Sequence, residues 1–252
     1  MTSLPGVPET QLTLRDLASQ CADDLMAAGA DAVVLVGSVA IRSAGPWSDI
    51  DLVALTQQPG EPVLLRQQVR SGRVVNVDVV TAEGVRAAFE AIPDALAVVP
   101  GWQQADILVD PHGLAHAISA EAAAWSFDGR ADDIGRWAAA TVTGLAEELQ
   151  KTRNVASTAA RAVNAALVLF QLSGPMVALD GRHYRSENDL WDLAAEVMGP
   201  AWQRARDRVL GLDGPADPQA ARTLYELAVA CVEPWFTTGQ RQVVDLARSA
   251  AE

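Results

Sequence analysis

Short apolar runs alternate with helical segments in the first part of the chain, from Thr10 to about Ala117. Apolar residues between Leu14 and Leu25 recur every three or four positions, which predicts an amphipathic helix that Gly29 ends. Four later runs are short, rich in Val, Ile and Leu, and bounded by turn residues, as is typical of β-strands. These predicted strands cover residues 32–37, 49–55, 74–80 and 105–110, and predicted helices cover residues 62–70 and 82–91.

The strand pattern ends near Ser119, and the rest of the chain has a helical pattern. Apolar residues follow helical steps over residues 134–149 and 159–170. Ser186 and Asp217 are typical N-cap residues, and the proline after Asp217 favours the first turn of a helix. These signals predict a bundle of four or five helices.

The two patterns predict two domains. A chain of 252 residues is long enough for one large domain or two small ones. We predict a first domain of strands and helices at residues 1–118 and a helical bundle domain at residues 119–252.

Composition and charge narrow the class of protein. Half of the residues are hydrophobic and a fifth are charged, as in an ordinary globular protein. The net charge of −13 argues against a nucleic-acid groove and favours a cationic partner. The N-terminal residues lack the regions of a signal peptide, and no run approaches 18 apolar residues, which excludes a membrane span. We therefore expect a cytoplasmic protein with buried, reduced thiols at Cys21 and Cys231, and leave its oligomeric state open.

Two aspartates open the second predicted strand. Because side chains alternate along a strand, Asp49 and Asp51 lie on the same face, about 6.6 Å apart along it. Such carboxylates repel each other unless a cation lies between them, and proteins commonly hold Mg²⁺ with one or two carboxylates, phosphate oxygens and water. Asp78 lies inside the next predicted strand, where a buried charge is costly unless it is paired or bound to a metal. The three carboxylates are a candidate site for two Mg²⁺ ions.

A glycine and a serine end the first predicted strand. Gly37 allows the backbone to approach a ligand closely. The hydroxyl of Ser38 and backbone N–H groups at the start of a short helix would bind phosphate oxygens. A phosphate-binding turn that faces metal-binding carboxylates is typical of phosphoryl or nucleotidyl transfer, where catalysis depends on positioning and charge neutralisation.

The order and spacing of these motifs resemble those of a known superfamily. The stretches VGSVAIRSAGPWSDIDLV and VNVDVV contain Gly-Ser, a connector of ten residues, Asp-Ile-Asp and an aspartate on a later strand. In this the chain resembles the nucleotidyltransferase superfamily, whose fold is shared with DNA polymerase beta. The resemblance implies that Asp49 and Asp51 bind Mg²⁺ and that Asp78 is the third metal ligand or the base. It also implies that Gly37 and Ser38 hold the triphosphate of an NTP, for which we expect ATP.

The resemblance also implies a fold class and a narrower set of relatives. The fold is α/β (α+β), with a small mixed sheet flanked by helices and then an all-α helical bundle domain. Residues 100–113 and 178–193 are similar to stretches of small bacterial antibiotic nucleotidyltransferases of the aminoglycoside and lincosamide types. Arg42 stands where many relatives have glycine, so we expect the connector to turn differently. Relatives often place a lysine of the helical domain near the phosphates. The candidates here are two alternative pairs, either Lys151 with Arg153 or Arg182 with Arg185.

The implied reaction is the transfer of AMP from ATP to a hydroxyl group. The acceptor oxygen attacks the α-phosphorus in line, one Mg²⁺ lowers the pKa of the acceptor hydroxyl, and the other stabilises the pyrophosphate. An acidic protein favours a cationic small-molecule acceptor, such as an aminoglycoside-like antibiotic. One alternative is the nucleotidylation of a protein or an RNA end, as in toxin–antitoxin nucleotidyltransferases, although the negative charge disfavours RNA. Another is a regulatory nucleotide-binding module without catalysis, which the three intact carboxylates disfavour.

Some of these residues also have purely structural interpretations. Asp78 would then be a buried, paired acid, and Ser38 would be only a helix cap, a role compatible with phosphate binding. Four tryptophans are expected to pack in the core or between domains rather than to stack on a base: Trp102, Trp137, Trp191 and Trp202.

Overall fold

The computed structural model describes residues 13–57, 67–184 and 186–249. The chain forms two compact units. We call residues 1–90 and 98–125 the sheet unit, and residues 91–97 and 126–252 the helical unit. The domain boundary predicted between residues 118 and 119 stays a prediction.

Within the described residues, the sheet unit contains a five-stranded sheet. Its strands are β1 (Ala32–Val36), β2 (Ile50–Thr56), β3 (Gln67–Arg70), β4 (Arg73–Thr81) and β5 (Asp106–Val109). The strand order is β3-β4-β2-β1-β5, in which β2 and β4 are parallel and the other pairs are antiparallel. The accompanying helices are α1 (Leu14–Ala27), α2 (Gly37–Ala40), α3 (Ala82–Glu90), α4 (Ile92–Gln103, which begins in the helical unit) and α5 (Leu114–Ala124). The predicted mixed sheet with flanking helices is confirmed.

Helix α1 has a defined signal at each end. At its start, Thr13 and Asp16 form a capping box, in which each side chain accepts a hydrogen bond from the backbone N–H of the other residue. After its end, Gly29 has a φ of +104°, which is outside the range that other residues readily adopt. The end predicted at Gly29 is therefore confirmed.

One face of the sheet packs against α1. Alternate residues of three strands point to this face and are buried: Val33 and Leu35 of β1, Leu52 and Ala54 of β2, and Val75 and Val77 of β4. They form one apolar cluster with Leu17, Cys21 and Leu25 of α1. Since successive side chains alternate between faces, the residues between them lie on the opposite face.

The helix predicted over residues 62–70 is wrong for residues 67–70, which form β3, whereas residues 62–66 lie outside the described part of the chain. Ser71 and Gly72 join β3 to β4, and both have positive φ angles of 49° and 72°. Two consecutive positive φ angles are typical of the two-residue hairpin turn that matches strand twist. A short polar strand of this kind depends on its partner strand rather than on its own apolar pattern.

The all-α region after the sheet is also confirmed. Its helices are α6 (Ala131–Gly144), α7 (Ala146–Asn154), α8 (Thr158–Leu179), α9 (Glu187–Met198), α10 (Pro200–Leu210), α11 (Ala221–Val232) and α12 (Thr238–Ser249). The predicted number of four or five is wrong, because the described residues of this region contain seven α-helices. One reason is that the apolar pattern over residues 134–149 continues through Leu145, where the backbone interrupts the helix between α6 and α7.

Helix α8 forms the centre of the helical core. Its residues Leu169, Leu172 and Met176 are buried in one cluster with Trp202 and Tyr225. Among the described residues, α8 is the one helix long and apolar enough to cross a membrane by length and composition, although the sequence pattern had excluded such a span. Half of its most apolar window is buried inside the protein, as in a core helix.

The predicted burial of the tryptophans and cysteines is correct for some of these residues and wrong for others. Trp102 and Trp202 are buried, as expected for core residues. Both cysteines are free thiols, as predicted, and Cys21 is buried, but the predicted burial of Cys231 is wrong because this residue is exposed. Cys231 lies next to Val232 on α11, and only the latter faces the core.

Close packing in the helical unit depends on a glycine. A Cβ atom on Gly135 of α6 would lie 2.2 Å from Cδ2 and Cε2 of the Trp235 indole. The indole Nε1 also donates a hydrogen bond to Asp132 at 3.3 Å, which fixes the ring against the start of the same helix. Position 135 therefore has no room for a side chain unless the ring moves.

We expect Gly135→Ala to lower the free energy of unfolding by about 1–3 kcal/mol, because the added methyl group displaces the ring. Gly144→Ala is the matched control at the exposed end of the same helix, where no atom lies within 4 Å of the new Cβ. This control should be neutral or should stabilise by up to about 1 kcal/mol through helix propensity. Denaturant unfolding of both variants measures the difference, and equal midpoints would contradict the packing argument.

Candidate functional site

Two carboxylates meet a single amide group at the start of β2. Asp49 immediately precedes this strand, and Asp51 is its second residue. In the parallel pair of β2 and β4, Asn76 is the Cα partner of Asp51. The Asn76 Nδ2 donates hydrogen bonds to Asp49 Oδ2 at 2.8 Å and to Asp51 Oδ1 at 2.9 Å. The structure thus brings the two aspartates together on the sheet face opposite α1.

A second amide group orients Asn76. Gln67 of β3 is the Cα partner of Asn76, and its Nε2 donates a hydrogen bond to Asn76 Oδ1 at 3.0 Å. With its oxygen engaged in this way, the Asn76 amide directs its NH₂ group at the carboxylates. Sequence reasoning overlooked both residues. For Asn76 the available signal was its position two residues before Asp78, which places both on one strand face.

The environment of Asp51 disfavours its negative charge. Partial burial is the largest effect and raises the pKa of Asp51, and repulsion from Asp49 and Asp78 raises it further. The hydrogen bond from Asn76 opposes these effects. A carboxylate in this situation is stabilised by any cation that reaches it.

Asp78 occupies the same strand face but a different environment. It is the Cα partner of Val53, one step further along the sheet than the pair of Asp51 and Asn76. Its side chain is exposed, so the predicted cost of burying a charge there does not arise, and the alternative of a buried structural acid is wrong. Its negative charge still contributes to the raised pKa of Asp51.

The Gly-Ser turn contacts Asp51 directly. Gly37 follows β1, has a φ of +70°, and begins the single turn α2. A Cβ atom on Gly37 would lie 2.7 Å from Asp51 Oδ2, so the absence of a side chain lets the backbone lie against the carboxylate. Ser38 is half-exposed beside it, and its carbonyl accepts a hydrogen bond from the backbone N–H of Ser43 at 2.9 Å.

The connector from this turn to Asp49 is held by its own hydrogen bonds. Arg42 has a φ of +59°, so its backbone has the left-handed conformation that glycine favours. Ser48 closes a turn with Gly45: its Oγ accepts a hydrogen bond from the Gly45 N–H at 2.9 Å, and its own N–H donates to the Gly45 carbonyl. The Arg73 guanidinium of β4 donates to the carbonyl of Pro46. These contacts fix the approach of the chain to Asp49.

The predicted phosphate-binding cations lie in the helical unit. Lys151 of α7 pairs with Glu147 at 2.7 Å, and this hydrogen bond raises the pKa of Lys151. Arg182 pairs with Glu196 at 2.9 Å. Arg185 lies outside the described residues. The assignment of Lys151 and Arg185 to the phosphates therefore stays a prediction.

The predicted set of three carboxylates is only partly assembled. Over residues 13–57, 67–184 and 186–249, no group of three or more His, Cys, Asp or Glu side chains has an arrangement that could hold a metal ion. Asp49 and Asp51 do converge, and their oxygens are of the kind that Mg²⁺ prefers. The chemistry of these two aspartates thus fits a bound cation. The role of Asp78 as a third metal ligand stays a prediction.

Comparison with known proteins agrees with this geometry. Residues 20–97 match the family model described as a nucleotidyltransferase domain, and this range contains Gly37, Ser38 and the three aspartates. The fold is similar to that of a crystal structure titled nucleotidyltransferase-like protein from Exiguobacterium sibiricum 255-15. The TM-score is 0.50 at 13% identity, and the match covers 92% of this chain and 79% of the other. Among curated proteins, none matches the chain.

The family match covers the two motifs that carry the resemblance seen in the sequence, the Gly-Ser turn and the Asp-Ile-Asp strand start. The similar crystal structure supports the fold, since 13% identity is too low to carry an activity across. Residues 20–97 thus match a nucleotidyltransferase domain, which supports a transferase enzyme and the transfer of a nucleoside monophosphate group in general.

Proposed function

We propose that the protein transfers a nucleoside monophosphate, with ATP as the expected donor, to a hydroxyl group of a small-molecule acceptor in a Mg²⁺-dependent reaction. The observation that supports this proposal most directly is the convergence of Asp49 and Asp51 on one point, directly beside the bare backbone of Gly37. Carboxylates next to an exposed stretch of backbone provide sites for a divalent cation and for phosphate oxygens in the same small space.

In this proposal Asp49 and Asp51 hold Mg²⁺. A bound cation would stabilise the ionised form of Asp51, which burial and neighbouring charges disfavour. When bound, Mg²⁺ supplies positive charge that offsets the charge of the triphosphate and of the reacting oxygens. The backbone at Gly37 and the hydroxyl of Ser38 would bind and orient the phosphates, since no side chain at position 37 blocks their approach.

The chemical step forms one bond and breaks one. The acceptor oxygen forms a bond to the α-phosphorus of the NTP, and the bond from that phosphorus to the bridging oxygen of pyrophosphate breaks. Asp78, exposed on the same sheet face as Asp51, is the proposed acceptor of the hydroxyl proton. The net charge of −13 favours a cationic acceptor such as an aminoglycoside-like molecule.

The first test replaces a metal-binding carboxylate. We expect Asp51→Asn to reduce transfer of labelled nucleotide from an NTP by about a hundredfold or more, because an essential charge at the reacting phosphate is lost. Asp23→Asn on the exposed face of α1 is the matched control and should retain the parent rate. The assay uses Mg²⁺, each NTP in turn, and a panel of aminoglycosides, with the protein alone as the test for self-modification.

A residual rate within tenfold of the parent would contradict the role of Asp51. Labelling of protein in the absence of any small acceptor would instead favour the protein-modifying alternative. Nucleotide binding without transfer to any acceptor would favour a regulatory module.

The raised pKa of Asp51 predicts an effect on stability. Because folding raises this pKa, the ionised carboxylate is less favourable in the folded than in the unfolded protein. At pH values above the folded pKa, the ionised Asp51 therefore lowers the free energy of unfolding. Without Mg²⁺, we therefore expect Asp51→Asn to melt at a higher temperature than the parent at pH 7–8. The gap should shrink as the pH falls and Asp51 becomes protonated. Melting curves of both proteins between pH 4.5 and 8 measure the gap, and a gap that grows on acidification would contradict the sign.

The turn at Gly37 gives a further prediction. We expect Gly37→Ala to abolish the stabilisation that Mg²⁺ and NTP together give in thermal unfolding, because the new methyl group meets Asp51 and the left-handed backbone becomes strained. The strain alone should cost roughly 1–2 kcal/mol of stability. Gly45→Ala, in the same connector and with no atom within 4 Å, is the control that should still respond to the nucleotide. An undiminished response of Gly37→Ala would exclude close backbone contact with phosphate.

A further inference from the structure

A row of polar side chains crosses three adjacent strands at the level of the site. Asp51 of β2, Asn76 of β4 and Gln67 of β3 are consecutive Cα partners across the sheet. Hydrogen bonds along this row all run in one direction: Gln67 Nε2 donates to Asn76 Oδ1, and Asn76 Nδ2 donates to both aspartates. Each amide therefore presents its NH₂ group towards the negative charges.

An amide side chain can reverse this direction without changing its shape. A half-turn about its last side-chain bond exchanges the oxygen acceptor with the NH₂ donor at nearly the same positions. When the carboxylates have no cation, an NH₂ group is the favourable neighbour. When a divalent cation lies between them, an NH₂ group is repelled, and an amide oxygen becomes favourable because hard cations also accept Asn and Gln carbonyl oxygens as ligands.

We propose that Asn76 is a ligand of the divalent cation through Oδ1, and that it reaches this state by turning its amide. This inference rests on the proposed function, because it concerns the same Mg²⁺ site. Gln67 turns in concert, so that its Oε1 accepts a hydrogen bond from Asn76 Nδ2 in place of the present bond in the opposite direction. Backbone positions and the register of the three strands stay as they are.

The position of Asn76 favours it over Asp78 as the third ligand. Asn76 already lies within 2.9 Å of both carboxylates through one atom, whereas Asp78 lies a further step along the sheet and is exposed. An amide oxygen also adds no negative charge to a place where two carboxylates already repel each other. A third ligand of this type agrees with the finding that no three acidic, His or Cys side chains assemble here within the described part of the chain.

The test measures Mn²⁺ binding to the full protein by the loss of the free-ion electron paramagnetic resonance signal, which does not depend on turnover. We expect Asn76→Ala to weaken Mn²⁺ binding by roughly tenfold to a hundredfold, as changes around metal sites typically do. Asn76→Asp keeps an oxygen at this position and should bind at least as tightly as the parent. Asp78→Asn should weaken binding less than Asn76→Ala does. Gln67→Met should have an effect of the same sign as Asn76→Ala but smaller.

A spectroscopic measurement on the unsubstituted protein keeps the proposal testable if a variant fails to fold. The ¹⁵N-labelled side-chain amide signals of Asn76 and Gln67 should shift together on titration with Mg²⁺ alone, and neither should shift in Asp51→Asn. A purely structural amide would not respond in this linked way.

The outcomes separate the two proposals. Parent protein that binds no Mn²⁺, with or without NTP, would overturn the proposed function and this inference with it. Parent protein that binds Mn²⁺ while Asn76→Ala binds equally well or better would overturn only the role of Asn76, and would leave the site at the aspartates. A large loss in Asp78→Asn with none in Asn76→Ala would assign the third ligand to Asp78.

Discussion

Repulsion between two carboxylates is the constraint on which the candidate site at this end of the sheet depends. Asp49 and Asp51 share one strand face, and burial of Asp51 prevents water from screening its charge fully. In the structure a single neutral NH₂ group, that of Asn76, lies between them. A neutral donor lowers the repulsion but does not cancel the negative charge of the two carboxylates. The backbone of Gly37 lies against the same carboxylate, in a place where a Cβ atom would lie 2.7 Å from Asp51 Oδ2.

Side chains of the sheet alternate between a face that packs in the core and a face that carries the candidate site residues. On β2 and β4, one set of alternate residues forms the apolar cluster with α1, and the other set carries Asp51, Asn76 and Asp78. The rigid core therefore determines where the reactive groups stand, at the spacing of neighbouring strands. Asp51 is the residue at which this arrangement costs stability, because its raised pKa reflects an ionised state that the fold disfavours. In the proposed function the same ionised carboxylate binds the cation, so activity would be kept at the expense of stability.

Much of this arrangement was predictable from short-range patterns. The four strands with alternating or continuous apolar residues, and helix α1 with its end at Gly29, follow from local periodicity and turn chemistry. Strand β3 could not be predicted in this way, since three of its four residues are polar and it is held by the Ser71–Gly72 turn and by pairing with β4. The number of helices after the sheet was also underestimated, because an apolar pattern does not show a local break such as that at Leu145.

The sequence by itself determined that Asp49 and Asp51 share a face and that a glycine precedes a serine at the end of β1, because both depend on backbone geometry within a few residues. Only the tertiary structure decided which residues lie next to them. Asn76 is 25 residues from Asp51 in sequence and is brought beside it by the parallel register of β2 and β4. The same register leaves Asp78 exposed and places Gln67 next in the row. Register is set by hydrogen bonds between strands distant in sequence and by the burial of the opposite face, and neither can be read from one strand alone.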